Sequence, residues 1–215
     1  MTFGRTIHCP LCSSGAKPYH QDRRRAYYQC QHCGLVFVLL DAFLSVAEEK
    51  AVYDLHQNGP EDAGYRRFLS RMYRPLHKRL SPASRGLDFG SGPGPTLSIM
   101  FEELGHSMAL YDPFYAPDGS VLAEEYDFVT ATEVVEHLRS PRVTLNQMWR
   151  CVKPGGYLGI MTKLVIDRAA FANWHYKNDD THICFFSQAT FRWLAKKWDT
   201  EPLFVDKDVV LFQKK

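Results

Sequence analysis

Hydrophobic and polar positions follow two different periods along most of the chain. Between residues 83 and 215, short apolar runs typical of buried strands alternate with segments of helical period. The runs predict strands at residues 86–89, 107–111, 126–132 and 157–162, and the helical segments predict helices at residues 96–104, at residues 140–152 and after Ser187. This alternation predicts an α/β domain with a mainly parallel sheet and right-handed crossovers. Residues 203–212 predict a terminal hairpin.

The first 82 residues follow other patterns. Residues 1–40 are rich in Cys, His and Arg and contain two short strand-like runs, at residues 27–29 and 35–38. Helical patterns then predict a helix over residues 41–55 and another over about residues 61–80, separated by Asn58-Gly59-Pro60 and kinked at Pro75. We therefore predict three parts: a small module at residues 1–40, a helical extension at residues 41–82 and the α/β domain at residues 83–215.

Composition narrows the classes of partner. Hydrophobic residues make up 45% of the 215 positions and charged residues 23%, which indicates a folded chain rather than a disordered one. The net charge of +2 argues against a nucleic-acid partner, because such binding needs a concentrated basic surface. No apolar run is long enough for a membrane helix, and residues 1–7 lack the apolar core of a secretory signal. We expect a cytoplasmic protein without a membrane partner; the oligomeric state stays open.

Four of the six cysteines form two Cys-x-x-Cys pairs: Cys9, Cys12, Cys30 and Cys33. Two such turns facing each other place four sulfur atoms at the corners of a tetrahedron, which is the geometry of closed structural zinc sites. The alternatives are a redox pair or unrelated free thiols, but two pairs at this spacing favour zinc. The pattern therefore predicts a zinc-ribbon-like module with a structural ion, whereas Cys151 and Cys184 lie in apolar contexts typical of a core.

A glycine-rich loop follows the first strand of the α/β domain and opens a helix. Its sequence is Asp88-Phe89-Gly90-Ser91-Gly92-Pro93-Gly94. The loop lacks the Gly-Lys-Ser/Thr ending of a P-loop, and Pro93 and Pro95 remove backbone N–H donors that a pyrophosphate needs. Asp88, expected at the mouth of the loop, disfavours phosphate and favours a cation or hydroxyl groups. S-adenosylmethionine, which has an amino group and no phosphate, suits this loop better than a nucleotide.

The pattern Asp88-x-Gly90-x-Gly92-x-Gly94 resembles motif I of the class I S-adenosylmethionine-dependent methyltransferases. The resemblance continues at Asp112, at residues 126–138 and at residues 153–158, and it implies a Rossmann-like sheet with helices on both faces. It implies cofactor contacts from Asp88, Gly90, Ser91, Gly92, Gly94, Asp112, Pro113, Glu133, Val134 and Tyr65. One departure is that residues 113–125 show no third strand, so the residue that contacts the adenine stays open.

The N-terminal layout has a narrower resemblance. Cysteine pairs, then Tyr53, His56, Asn58 and Tyr65, then motif I, are similar to bacterial methyltransferases with an N-terminal zinc-binding region, some of which act on sugars or other metabolites. We therefore expect in-line methyl transfer to a small-molecule acceptor. The alternatives are an RNA or protein methyltransferase that docks through the zinc module and the Arg-rich helix, and a binding protein without activity.

Three histidines are candidates for a general base, which an acceptor hydroxyl or carbon acid would need. His137 follows the strand at residues 126–132 and has Glu136 beside it; the alternative is that it only supports the loop. His175 and His182 belong to a polar and aromatic segment after the strand at residues 157–162, which is either an acceptor-binding loop or an ordinary solvated loop.

Overall fold

The computed structural model describes residues 6–55 and 59–215. Its strands are β1 (Ala16–Gln21), β2 (Ala26–Cys30), β3 (Val36–Phe37), β4 (Arg85–Phe89), β5 (Ser107–Tyr111), β6 (Tyr126–Thr132), β7 (Val152–Met161), β8 (Cys184–Phe185), β9 (Pro202–Asp206) and β10 (Val209–Gln213). Its α-helices are α1 (Val46–Tyr53), α2 (Ala63–His77), α3 (Thr96–Glu102), α4 (Pro141–Arg150), α5 (Arg168–Ala172) and α6 (Gln188–Lys197).

The larger sheet has six strands in the order β5-β4-β6-β7-β10-β9. Strands β5, β4, β6 and β7 are parallel, and β10 and β9 form an antiparallel hairpin on β7. Apolar residues of α2 and α3 cover one face, and those of α4 and α6 cover the other. This confirms the predicted α/β fold with a mainly parallel, Rossmann-like sheet, helices on both faces and a terminal hairpin.

The centre of this sheet is apolar on both faces, as expected for parallel strands covered by helices. In β6, Tyr126, Phe128, Val129 and Ala131 are all buried. Gly86 in β4 is required by this packing, since a Cβ atom there would lie 2.3 Å from the ring of Phe128. The order of the strands is therefore held by side chains that interlock across neighbours and not only by the backbone ladder.

The segment between β5 and β6 has no strand of its own. It contains a 3₁₀ turn at Gly119–Ala123 and a single bridge between Asp112 and Ala116. This confirms the predicted departure from the usual third strand.

The predicted helix over residues 41–55 is wrong at its start. A 3₁₀ turn occupies Leu40–Ala42, and α1 begins only at Val46. The reason is local: Ser45 accepts a hydrogen bond from Glu48 N while the Glu48 carboxylate accepts one from Ser45 N, a capping box that begins the helix. Helix α2 forms as predicted but ends at His77, with Pro75 inside its last turn. Among the described residues, no helix is long and apolar enough to cross a membrane.

The smaller sheet has the order β1-β2-β3-β8. Its last strand, β8, comes from the segment between β7 and α6, far along the chain from the other three. Residues of β2 and β3 and residues of β8 are buried in the same hydrophobic cluster as the centre of the larger sheet. The N-terminal segment therefore shares a sheet and a core with the α/β domain.

Arg25 forms a second connection between these parts. Its side chain is buried, with 5% of its surface exposed, and its guanidinium donates hydrogen bonds to four backbone carbonyls of one loop. The acceptors are Asp180 O (3.2 Å), His182 O (3.0 Å), Asp179 O (2.9 Å) and Lys177 O. One arginine thus determines the path of the loop over residues 177–182.

We expect Arg25→Met to lower the free energy of unfolding by about 3 kcal/mol, because it removes several hydrogen bonds of a buried charged donor and leaves buried carbonyls unpaired. Arg23→Met is the matched control: Arg23 is exposed, and its loss should change stability by less than about 0.5 kcal/mol. Chemical denaturation followed by circular dichroism measures both. Equal stabilities of the two variants would contradict the assigned role of Arg25.

Candidate active site

A cavity of about 540 Å³ opens at the carboxyl ends of β4, β5 and β6. The loops that follow these three strands form its floor and walls, and α1 and α2 contribute further residues from outside the sheet. Open α/β sheets bind ligands at this edge, and the volume lies within the range of sites for cofactors and small molecules.

The glycine loop forms one wall. Gly90, Ser91, Gly92 and Gly94, all expected from the sequence to contact the cofactor, line the cavity. Gly90 has φ = 78°, and a Cβ atom there would lie 2.4 Å from a methyl group of Val134. Gly92 has φ = 63°, and no atom lies within 4 Å of the position of its missing Cβ. The backbone at Gly92 is therefore open to a ligand, while that at Gly90 is closed by Val134.

Asp112, at the end of β5, is buried and lines the cavity. Its carboxylate accepts hydrogen bonds from the backbone N–H groups of Gly92 (2.9 Å), Phe114 (2.8 Å) and Tyr115 (3.1 Å). Two carboxylate oxygens offer about four acceptor positions, so one position is left for a ligand hydroxyl. Pro113, also expected from the sequence, lines the cavity beside it. The carboxylate thus joins the glycine loop to the loop after β5.

Asp88 lies beneath the glycine loop and not at its mouth, where the sequence placed it. It is buried and does not line the cavity. Its carboxylate accepts hydrogen bonds from Ser98 Oγ (3.0 Å) and Thr130 Oγ1 (2.9 Å), and burial raises its pKa to about 6. Asp88 therefore connects β4 to α3 and β6, and its contact with a cofactor stays a prediction.

The loop after β6 carries two acidic residues, the partly buried Glu133 and the fully buried Glu136. Glu133 has φ = 52°, a left-handed conformation that is strained for a residue with a side chain. The hydroxyl of Tyr176 donates to Glu133 Oε2 (3.3 Å) and to Glu136 Oε1. Burial raises the pKa of both carboxyl groups, and the charge of Glu136 raises the pKa of Glu133 further. Glu133 and Val134 line the cavity as expected from the sequence.

The structure brings His137 and His182 together in the cavity, and the part of its lining that they form is called the histidine wall. Their ring centroids are 4.7 Å apart, and both line the cavity. His137 Nδ1 lies 3.1 Å from Thr181 O, and His182 Nδ1 lies 2.7 Å from Tyr176 O. Burial, with a smaller contribution from His137, lowers the pKa of His182 to about 4, so His182 is neutral near pH 7.

The structure separates His175 from these two histidines. Its side chain is exposed, its Nε2 lies 3.0 Å from Lys163 Nζ, and it does not line the cavity. The sequence grouped it with His182 because the two are neighbours in one polar segment. The 3₁₀ turn at His175–Asn178 points them in different directions.

Residues outside the motifs complete the cavity. Tyr65 of α2 lines it as expected, and the lining residues that the sequence did not single out are Glu49, Phe68, Phe89, Phe114, Tyr115, Thr132, Leu138 and Asp179. Tyr53, named in the N-terminal resemblance, also lines the cavity, and its hydroxyl donates to Glu49 Oε1 (2.9 Å). His56 and Asn58 lie outside the described residues. The aromatic pair Phe114-Tyr115, separated from Asp112 by Pro113, is the sequence signal that could have indicated a wall for an aromatic base.

Three buried polar atoms of residues that line the cavity bear on whether S-adenosylmethionine fits there. Ser91 Oγ, Thr132 Oγ1 and Glu133 Oε1 find no hydrogen-bond partner among the residues that the structure describes. Buried polar groups are almost always paired, so such atoms indicate a ligand or water. A ligand with a polar amino-acid end and an aromatic base would suit this lining, which has unpaired polar atoms near the glycine loop and aromatic side chains near Asp112. The residues present therefore fit S-adenosylmethionine.

The four paired cysteines converge as the sequence predicts. Their sulfur atoms lie within 4.8 Å of one another, with Cys9 Sγ 3.6 Å from Cys33 Sγ and Cys12 Sγ 3.3 Å from Cys30 Sγ. All four are free thiols. Four sulfur ligands of one zinc ion lie roughly 3–4 Å apart, since each Zn–S bond is about 2.3 Å long. The cluster therefore fits a tetrahedral zinc ion, and Cys151 and Cys184 are buried core residues, as expected.

Comparison with known proteins gives a family and a fold. A family model described as a methyltransferase domain matches residues 65–202, which is more than half of the chain. No curated protein matches the sequence. Similar solved structures include the 1,6-didemethyltoxoflavin-N1-methyltransferase of Burkholderia thailandensis (16% identity, TM-score 0.53, covering 93% of this chain and 100% of that chain). Human N-acetylserotonin methyltransferase is another (12%, 0.51, 79% and 56%). At these identities the likeness shows the fold.

We expect Gly92→Val to weaken S-adenosylhomocysteine binding at least tenfold, or about 1.4 kcal/mol, because the branched side chain would fill the cavity. Gly105→Val is the matched control: Gly105 also has a positive φ (83°) and open space around its missing Cβ, but it lies at the end of α3 and outside the cavity. Isothermal titration calorimetry on both variants separates backbone strain from occlusion. Equal affinities would show that Gly92 does not face the cofactor.

Proposed function

We propose that this chain, which belongs to the methyltransferase-domain family and depends on S-adenosylmethionine, methylates a small-molecule acceptor inside the cavity. One observation carries the proposal: the glycine loop, His137 and His182 line the same cavity of about 540 Å³. This volume lies within the range of sites that bind small molecules. The Burkholderia thailandensis and human structures, whose names specify small molecules as acceptors, support this class.

The residues of the chain would bind, orient and desolvate the reactants. S-adenosylmethionine supplies an activated methyl group, so catalysis needs mainly alignment and exclusion of water. Gly92 offers open backbone to the cofactor, and Asp112 offers its remaining acceptor position to hydroxyl groups. Tyr53 and Tyr65 come from α1 and α2 and cover the cavity from outside the sheet.

In this proposal, His137 or His182 removes the proton from the acceptor. His182 is neutral near pH 7 because burial disfavours its protonated form. Its Nε2 lies 3.7 Å from Asp179 Oδ2, and that carboxylate would stabilise the ring when it accepts a proton. His137 stands next to it at the cavity surface. We therefore keep His137 and His182 as the proposed bases and leave His175 outside the reaction.

The alternative acceptor, an RNA or protein, would need a basic surface that joins Arg23–Arg25 to the arginines of α2. Arg25 is buried, and the guanidinium of Arg24 is paired with Asp180 and with Asn178 O. Arg67, Arg71 and Arg74 of α2 line a separate surface groove that also contains Asp206. These contacts favour the small-molecule acceptor, because the N-terminal arginines stabilise the protein's own loop.

We also propose that Cys9, Cys12, Cys30 and Cys33 hold a structural zinc ion. The convergence of the four sulfur atoms supports it, and so do backbone N–H groups that donate to sulfur, from Leu11 to Cys9 and from His32 to Cys30. A site of four protein thiolates has no open position, which suits a structural role. Reduced thiolates also agree with the proposed cytoplasmic location.

We expect His182→Ala or His137→Ala to lower turnover by about 10²–10⁴ while S-adenosylhomocysteine affinity stays within a few-fold, because a lost base slows chemistry and not cofactor binding. The acceptor for this assay comes from a methyl-transfer screen of metabolite extracts. His175→Ala, which alters a histidine outside the cavity, is the comparison. If both cavity variants kept normal turnover, neither histidine would be the base, and catalysis would rest on alignment alone.

We expect Cys30→Ser to lower the zinc content by one ion per chain, measured by atomic emission on protein purified without chelator. Because β2 and β3 share a sheet with β8, this variant should also lower the melting temperature of the whole protein. Cys151→Ser alters a buried cysteine outside the cluster and should keep the zinc. Unchanged zinc content in Cys30→Ser would overturn the proposed ligand set.

A further inference from the structure

A second cluster of metal-ligating side chains lies on the histidine wall of the cavity. One ligand atom from each of Glu136, His137 and His182 lies within 4.8 Å of the other two. Glu136 and His137 belong to the 3₁₀ turn Val135–His137 that follows β6, and His182 comes shortly before β8. Two rigidly placed segments that are far apart in sequence thus bring two imidazoles and a carboxylate together.

The orientation of the two imidazoles is the one that metal-bound histidines adopt. Each ring places its Nδ1 against a backbone carbonyl, His137 against Thr181 O and His182 against Tyr176 O. An N–H at Nδ1 that donates to a carbonyl directs the lone pair of Nε2 to the other side of the ring. On that side, His137 Nε2 lies 4.0 Å from Glu136 Oε1, and His182 Nε2 lies 3.7 Å from Asp179 Oδ2.

The carboxylates of the cluster have oxygen atoms that a cation would satisfy. Glu136 is completely buried; its Oε1 accepts from Tyr176, but its Oε2 has no hydrogen-bond partner among the described residues. Asp179 Oδ1 accepts from Thr181 N (2.9 Å) and Thr181 Oγ1 (2.6 Å), which directs Oδ2 toward His182. A buried ionised carboxylate with an unpartnered oxygen is costly in free energy, and either a proton or a bound cation removes that cost.

We propose that Glu136, His137 and His182 bind a divalent transition-metal ion. Ligand atoms of one ion lie roughly 3–4 Å apart, so the side chains need to move inward by only about 1 Å. Two imidazoles with carboxylates suit zinc, iron or manganese rather than calcium or magnesium. The ion differs from the one held by cysteine, because His137 and His182 line the cavity. A ring whose Nε2 binds the ion cannot also accept a proton there, so in the metal-loaded protein the ion, and not His137 or His182, would act on the acceptor.

The experiment titrates Co²⁺ into purified protein that keeps zinc in its cysteine cluster. Isothermal titration calorimetry should show one further Co²⁺ bound per chain, and the near-ultraviolet spectrum should lack the thiolate charge-transfer bands that cobalt shows in a cysteine site. We expect Glu136→Gln and His182→Ala to weaken this binding at least tenfold. His175→Ala removes an exposed histidine of the same segment and should leave it unchanged.

Glu136→Gln keeps the shape of the side chain and an acceptor for Tyr176, and S-adenosylhomocysteine affinity checks that each variant is folded. If a variant fails to fold, the Co²⁺ spectrum of the unaltered protein decides alone. No further Co²⁺ at millimolar concentration, or equal loss of binding in His175→Ala, would overturn the site. Metal binding is measured without any acceptor, so its failure would leave the proposed methyl transfer standing, and failed methyl transfer would leave the metal site standing.

Discussion

The hydrogen bonds of the buried Arg25 guanidinium are the interaction on which the candidate site depends most. Four carbonyls of residues 177–182 accept hydrogen bonds from it, so the path of the loop that carries Asp179 and His182 depends on the residue that precedes β2. Without that donor these carbonyls would be buried without partners, and a loop rich in polar groups would move toward solvent. The histidine wall is therefore positioned by the N-terminal segment.

A second constraint acts from the centre of the sheet. In the loop after β6, Glu133 adopts a strained left-handed backbone conformation. Glu136 follows it in the core, where the Tyr176 hydroxyl donates a hydrogen bond to its carboxylate. Tyr176 directly precedes the loop that Arg25 binds. Its hydroxyl bonds to the carboxyl groups after β6, and its backbone carbonyl lies 2.7 Å from Nδ1 of His182. A strained backbone and a buried carboxyl group at the same edge of a sheet are typical of functional sites. The surrounding structure there compensates for the free energy that both features cost.

Local patterns predicted those parts of the molecule whose chemistry lies in neighbouring residues. Examples are the glycine loop with Asp112 and the two cysteine pairs. Each was predictable because its turn residues or the spacing of its ligands can be recognised within a short stretch of sequence. No local sequence pattern indicates three other features: the pairing of β3 with β8, the hydrogen bonds from Arg25 to residues 177–182, and the burial of Asp88. They are contacts between residues 42 to 157 positions apart, and only packing decides them. For the same reason, the sequence grouped His175 with His182.

These contacts bear on what the cysteine module does. A docking module for a macromolecule would present its basic residues outward, but here Arg25 is buried and Arg24 is paired with Asp180. Arg25 directly precedes β2, and Cys30 ends it. Strand β2 pairs with β3, which in turn pairs with β8. The position of the cysteine turns therefore constrains the loop of His182 through a single strand, β2. The module acts as part of the scaffold of the site, and a zinc ion there would support its geometry from a distance.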